Sequence, residues 1–371
     1  MSVLRSKLGR AVSIAAVGTV LAGCHSVSLE AKGDFSRFVG LTDFSKFTQA
    51  QDGAGNVVMM SPPIKARIPW NQLVVSWNAK APAGAMVKIE ASAISHGHHT
   101  KYYTMGIWSP DRAFRTSVRR QKDADGTVDT DTLVLTENAE ETQLRITLIP
   151  STNGLPTLKF LGASFANTKA EQQDRRPNKS AWGKTIATPE HSQHGYPNEG
   201  GWCSPTSLSM ALSRWAQVLN RPEMDLTVPV VAGDVFDNSM SGTGNWPFNT
   251  AFAGSFDGMR SYVTRLDDLR EVEDWIAAGI PVILSARWDW LRPGRPSDAA
   301  GHLVVCIGFT EDGDVIINDP AAHPDRGVYV RQTYKRADVM HAWSKSSHAV
   351  YLVYPENAKI PGNKYDHWMD R

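Results

Sequence analysis

The chain has 371 residues, room for about two domains at a usual size of ~150 residues each. Its 39 basic and 38 acidic residues leave a formal net charge of +1, so no domain-scale positive field is available to hold nucleic acid. Hydrophobic residues make up 42% and charged residues 21%, which excludes a globally disordered chain.

The chain opens with a targeting segment. Arg5, Lys7 and Arg10 precede a short apolar run, Ala11 to Ala22. That run is too short to cross a bilayer, which takes roughly 20 apolar residues, and reads as a signal peptide over residues 1–23. It ends in Leu21-Ala22-Gly23-Cys24, which resembles the bacterial lipobox. The resemblance implies that Cys24 is acylated and becomes the first mature residue, anchoring the protein to a lipid bilayer without a membrane span. The expected location is the bacterial cell envelope, and His25 after the cysteine points to export beyond the inner membrane.

Residues 24–65 carry little pattern and are read as an N-terminal segment. From 66 to 167 apolar and polar residues alternate in short runs: Leu73, Val75 and Trp77; Val87, Ile89 and Ala91; Leu144, Ile146 and Leu148. Period-two patterning between turn signals such as Asp125-Gly126 predicts an antiparallel β-sandwich, jelly-roll-like, of about 100 residues. Its expected ligand is a glycan or a protein. His96, His98 and His99, and the aspartates between Asp123 and Asp131, suggest metal sites by composition only, and no metal and no cofactor is expected.

A polar stretch, 168–184, reads as a linker. The style of the sequence then changes. Leu208, Leu212, Trp215 and Leu219 at helical spacing predict a helix over 204–219, and 269–278 predicts a second, stopped by Gly279. Apolar strands are expected at 281–286, 302–309, 315–317 and 349–354. Helices first and strands later imply an α+β domain over 185–355, followed by a polar tail, 356–371.

The chain has three cysteines. With Cys24 assigned to lipid, Cys203 and Cys306 either form a disulfide or remain one functional and one buried thiol. Cys306 lies in an apolar strand, where cysteine acts as a small hydrophobe. Cys203 follows Gly200-Gly201-Trp202 and precedes Ser204-Pro205, the signature of a helix start. Unpaired N–H groups and the positive helix end favour a thiolate there. His302 opens a strand and Asp319 ends the next, so antiparallel pairing brings a base and its orienting carboxylate together.

The segments GGWCSPTSLSMAL, AGHLVVCIGF and VIINDPAAH resemble the three catalytic motifs of the C39-like peptidases, a branch of the papain-like superfamily. The resemblance implies Cys203 as nucleophile, His302 as general base, Asp319 as orienting acid and an upstream glutamine, Gln193, as oxyanion donor. Gln193 lies ten residues before the cysteine, so an inserted loop at 196–201 is expected. Trp202 and Trp246 are candidate substrate-binding residues. The expected activity is hydrolysis of amide bonds in a peptide or protein. The alternatives are an acyl transferase with the same triad and a non-catalytic envelope-binding lipoprotein.

Overall fold

In the computed structural model, residues 34–171, 175–196, 200–291, 301–363 and 368–369 are described. The first 33 residues, with the signal peptide and Cys24, lie outside them. The N-terminal domain is mostly β. Its strands are β1 (Ser36–Leu41), β2 (Thr48–Gln51), β3 (Val57–Met60), β4 (Ile64–Lys80), β5 (Met86–Ser95), β6 (His98–His99), β7 (Tyr103–Trp108), β8 (Gly126–Asp129), β9 (Thr132–Ile149) and β10 (Thr157–Ala166). These strands pair antiparallel with one another in one curled sheet.

The curl comes from the two longest strands. β9 pairs with β3, β4, β5 and β8 along its 18 residues, and β4 breaks register around Trp70. Each break adds twist, so the two ends of the strand serve different parts of the sheet. The concave side collects Trp70, Leu73, Val75 and Trp77 with Val87, Ile89, Leu144 and Ile146 in one apolar core. The sheet takes in β1 to β3, which precede residue 66.

The second domain is α+β. Its short β11 (Lys184–Thr185) precedes α1 (Cys203–Leu219), α2 (Val228–Asp234) and α3 (Trp246–Ser255). There follow β12 (Met259–Arg265), α4 (Leu269–Ala277), β13 (Val282–Arg287), β14 (Gly301–Phe309), β15 (Val315–Asn318), β16 (Arg331–Tyr334), α5 (Arg336–Ser344) and β17 (Ala349–Pro355). The strand order is β12-β17-β13-β14-β15-β16, with β11 on β14. A last strand, β18 (Trp368–Met369), leaves this domain and pairs parallel with β1.

The two domains share a packed seam. Phe248 and Ala251 of α3 belong to the apolar core of the β-domain, and the Phe248 ring meets Trp77 edge-on at 6.1 Å. Behind them the Asn78 amide donates to the Ser261 carbonyl at 2.7 Å and accepts from its N–H at 3.2 Å. Gly254 makes this approach feasible, since a Cβ there would lie 2.0 Å from the Asn78 nitrogen. The polar stretch after the β-domain is also tied down: Arg175 is buried between Asp267 and Asp268 at 2.8 and 3.2 Å.

Candidate active site

Cys203 is the first residue of α1. The chain turns into the helix at Gly201, whose φ of 78° is one that glycine adopts without steric cost. The helix is pinned to the sheet behind it. Ser207 Oγ donates to the Leu303 carbonyl at 3.0 Å, and Trp215 Nε1 donates to the Val353 carbonyl at 2.8 Å. Ser204, the residue after the cysteine, hydrogen-bonds the Tyr351 hydroxyl at 2.9 Å. These bonds fix where the thiol points.

His302 lies at the start of β14, opposite Ala286, and Asp319 follows the end of β15. Antiparallel pairing of β14 with β15 puts both on the same edge of the sheet. The His302 Nε2 to Asp319 Oδ1 distance is 2.8 Å, and both side chains are buried. Asp319 is held from two more directions: the Tyr334 hydroxyl donates to Oδ2 at 2.6 Å and the Ala321 N–H donates to Oδ1 at 2.9 Å. With Nε2 engaged, the other ring nitrogen is left for Cys203, which hydrogen-bonds the imidazole.

Electrostatics follow from this relay. Burial works against the charged form of each group, but specific bonds prevail. For Asp319 the bond and charge of His302, with Tyr334, hold the carboxyl below its ordinary value. For His302 the bonds to Asp319 and Cys203 push the imidazole up to about 9. For Cys203 the His302 bond and charge, aided by backbone hydrogen bonds at Leu303 and Ser204, bring the thiol down. For Cys306 burial prevails over its backbone hydrogen bond to Gly308. It sits fully buried in β14 and its thiol is pushed up to about 12. Both cysteines are free thiols.

Cys203 and His302 open onto a cleft of about 430 Å³ that Gln193 and Trp288 also line. The Gln193 segment reaches it by docking on the turn after Asp319. Its N–H donates to the Pro320 carbonyl at 2.8 Å, Ser192 Oγ donates to the Ala322 carbonyl at 2.8 Å, and Asn318 Nδ2 donates to the Pro189 carbonyl at 3.1 Å. This docking, and not proximity in sequence, carries the glutamine to the cysteine. Its Oε1 is buried and makes no hydrogen bond among the described residues. The expected loop at 196–201 is described only in part, with 197–199 outside the described residues.

The two candidate substrate-binding tryptophans are not among the cleft-lining residues. Trp202 caps α1, half-buried, its ring 6.0 Å from that of Tyr196. Trp246 opens α3 and lines a separate cavity. Other residues of the site carry no motif, and of them the sequence offers only Trp288, as one of several tryptophans able to line a cleft. Trp288 follows β13 and sets its ring edge-on to His302 at 4.2 Å. Tyr334 completes the Asp319 cradle. His194 and His323 stack in the cleft wall with centroids 3.5 Å apart. Strand pairing places Trp288, since it follows the strand that pairs with that of His302, and a single sequence does not display that pairing.

Comparison with known families bears on the two domains. Residues 178–351 match the model of the Peptidase C39 like family, and residues 31–166 match that of the Peptidase C39 N-terminal domain. The chain carries a C39-like peptidase domain. That domain is preceded by the matching N-terminal module, so the two-domain division of the fold coincides with the two family matches. Among solved structures, a Bacillus anthracis protein described as a candidate C39-like peptidase is 16% identical. The match covers 50% of this chain and 100% of that one, with a TM-score of 0.34. No curated protein matches the chain.

Proposed function

We propose that this C39-like protein is a thiol-dependent hydrolase of peptide or amide bonds, of papain-like catalytic design, presented at the bacterial cell envelope by a lipid on Cys24. The observation that carries the reading is the Asp319–His302–Cys203 relay at the wall of an open cleft. Cys203, already paired with a protonated His302, attacks the scissile carbonyl, and the carbonyl carbon becomes tetrahedral. The oxyanion is received by the Cys203 N–H and the Gln193 amide. His302 then gives its proton to the leaving amine as the C–N bond breaks, leaving an acyl-thioester on Cys203. Water, deprotonated by His302, attacks the thioester and releases the acid and the thiol. Asp319 keeps the imidazole oriented throughout and supports its charge.

The N-terminal sheet, read as a jelly-roll-like sandwich, would hold a glycan or protein ligand. An amine in place of water in the last step would make the same triad an acyl transferase.

The test is the pH dependence of iodoacetamide alkylation at Cys203, read by peptide mass spectrometry. Fast alkylation at pH 6 that is lost in His302→Ala supports the reading. Slow alkylation that rises only near pH ~8.5, the ordinary thiol value, and is indifferent to His302→Ala would sink it.

A further inference from the structure

A second cavity, about 300 Å³, lies where the two domains meet. From the β-domain it takes Gln72 of β4 and the tight turn between β8 and β9. From the peptidase domain it takes Trp246, Arg265 at the end of β12, Arg287 at the end of β13 and Lys345 just past α5.

Its chemistry is that of an anion site whose cations lack a full counter-charge. Arg265 is 2% exposed. Its Nη2 donates to Gln72 Oε1 at 2.7 Å, while Nε and Nη1 are buried without a hydrogen-bond partner among the described residues. Arg287 Nε is likewise buried and unpartnered among them. Asp131 is near enough to favour the charge on Arg265, but the hydrogen bonds of its oxygens go elsewhere. Asp131 spends its oxygens on the Trp246 N–H at 2.7 Å and the Thr132 hydroxyl at 3.1 Å, and Asp129 lies on the exposed rim. Burial raises Asp131 to about 7, so its charge is partial at neutral pH, and burial lowers Arg265 to about 10. Leaving a guanidinium buried and half-bonded is expensive, and such groups mark sites that await a counter-charge.

Backbone strain points the same way. Thr130 and Ser347 both line the cavity, with φ of 57° and 49°. A β-branched residue in this left-handed region is strained, and such strain clusters at ligand clamps.

The cavity adjoins the catalytic cleft at two points. At the first, Arg287 lines the cavity and the next residue, Trp288, lines the cleft. At the second, Gly244 lines the cavity, and its neighbour Thr243 donates to the carbonyl of Gly201, a cleft residue, at 3.0 Å. The two openings are therefore walled in part by the same backbone segments.

We propose that this interdomain cavity is a subsite for a carboxylate of the substrate, an acidic side chain or a chain terminus, held by Arg265, Arg287 and Lys345. It rests on the peptidase reading for the word substrate, and the carboxylate site itself does not.

The test is calorimetric titration of the full chain carrying Cys203→Ala with N-acetyl-glutamate, with N-acetyl-glutamine as the isostere lacking the charge and inorganic phosphate as a rival anion. Saturable binding of the glutamate probe is expected, with none of the glutamine one. Arg287→Gln and Lys345→Gln, both at the accessible part of the cavity, should each weaken it by about tenfold while leaving the thermal midpoint unchanged. No saturation by the glutamate probe, binding of phosphate alone, or binding indifferent to both variants would overturn the proposal. Alkylation of wild-type Cys203 is run beside it. Low-pH reactivity without glutamate binding rejects the subsite alone, and binding without low-pH reactivity rejects the enzyme reading alone.

Discussion

Replacing Asp319 with asparagine removes the charge while keeping the side chain's shape; one oxygen becomes an NH2 group, so the amide accepts at only one of the two positions that Tyr334 and Ala321 serve. The structure supplies the magnitude. The imidazole of His302 stands at about 9 against an ordinary 6.5. At about 1.4 kcal/mol per unit, its protonated form is favoured by roughly 3 kcal/mol over a free histidine, even though burial opposes it. That preference is shared between Asp319 and Cys203, so Asp319→Asn removes only part of it. The thiolate–imidazolium population should fall by about 10- to 100-fold. The assay is Cys203 alkylation at pH 6, where an ordinary thiol of pKa ~8.5 is only about 0.3% thiolate and the paired one dominates. Cys306 does not compete, since its thiol is fully buried. A lower thiol pKa also lowers intrinsic nucleophilicity, so rate follows population with a damped slope, and a loss of about 3- to 15-fold should be seen. An unchanged rate in a variant whose thermal midpoint is also unchanged would refute the argument that Asp319 sustains the pair.

Two further outcomes follow from packing. His348 is fully buried, stacked on Trp343, and burial lowers its imidazole to about 4 from 6.5. Its folded pKa is depressed, so the neutral ring contributes stability above pH 6.5 that is lost as pH falls to 4, by about 3 kcal/mol. Urea denaturation at pH 7 and pH 4.5 should show that acid loss reduced in His348→Asn, and an identical loss in both proteins would reject it. Gly254→Ala should destabilise by about 2–4 kcal/mol, from overpacking and the lost Asn78 bonds. Alanine ordinarily stabilises a helix interior relative to glycine, so a raised urea midpoint would contradict the close approach.

How much of this was legible beforehand depended on the range of the interaction. α1, α4 and the strands β13, β14, β15 and β17 fall within a residue or two of their predicted positions, because each carries its own periodicity and stop signal. Strands β1 to β3 lacked that signal. Only β1 is largely buried, and Thr48–Gln51 is exposed throughout, so β2 shows no apolar alternation to read. β12 and α5 were missed for another reason. The run Met259–Arg265 is buried on both faces, and Ser261, Thr264 and Arg265 are among its buried residues, so polar residues interrupt what would otherwise read as a core strand. At the site, motif spacing brought Cys203, His302 and Asp319 into one reading. Tyr334 and Trp288 came from strand pairing, which a single sequence does not display. Trp202 was chosen for adjacency to the cysteine, but neighbours at a helix start project about 100° apart, so adjacency does not aim a side chain into a cleft.

The β-domain also bears on the site more directly than an accessory module on a linker would. Arg265 is held by Gln72, Trp246 by Asp131, and α3 is seated by Phe248 in the core of the other domain. A fragment of residues 175–363 would expose Phe248 and Ala251 and leave Asn78's partners on Ser261 to water. Uncovering Phe248 alone costs about 2–3 kcal/mol of burial, a large share of the roughly 5–15 kcal/mol that stabilises a domain. The fragment should therefore unfold at a lower temperature than the whole chain, or aggregate through the bared α3 face. Thr243, which ties the α3 approach to Gly201, would be loosened with it, so Cys203 alkylation at pH 6 should become slower as well as the fold weaker. A soluble fragment with the thermal midpoint and the alkylation rate of the full chain would show that the seam is a contact of convenience, and that the peptidase domain organises its thiol alone.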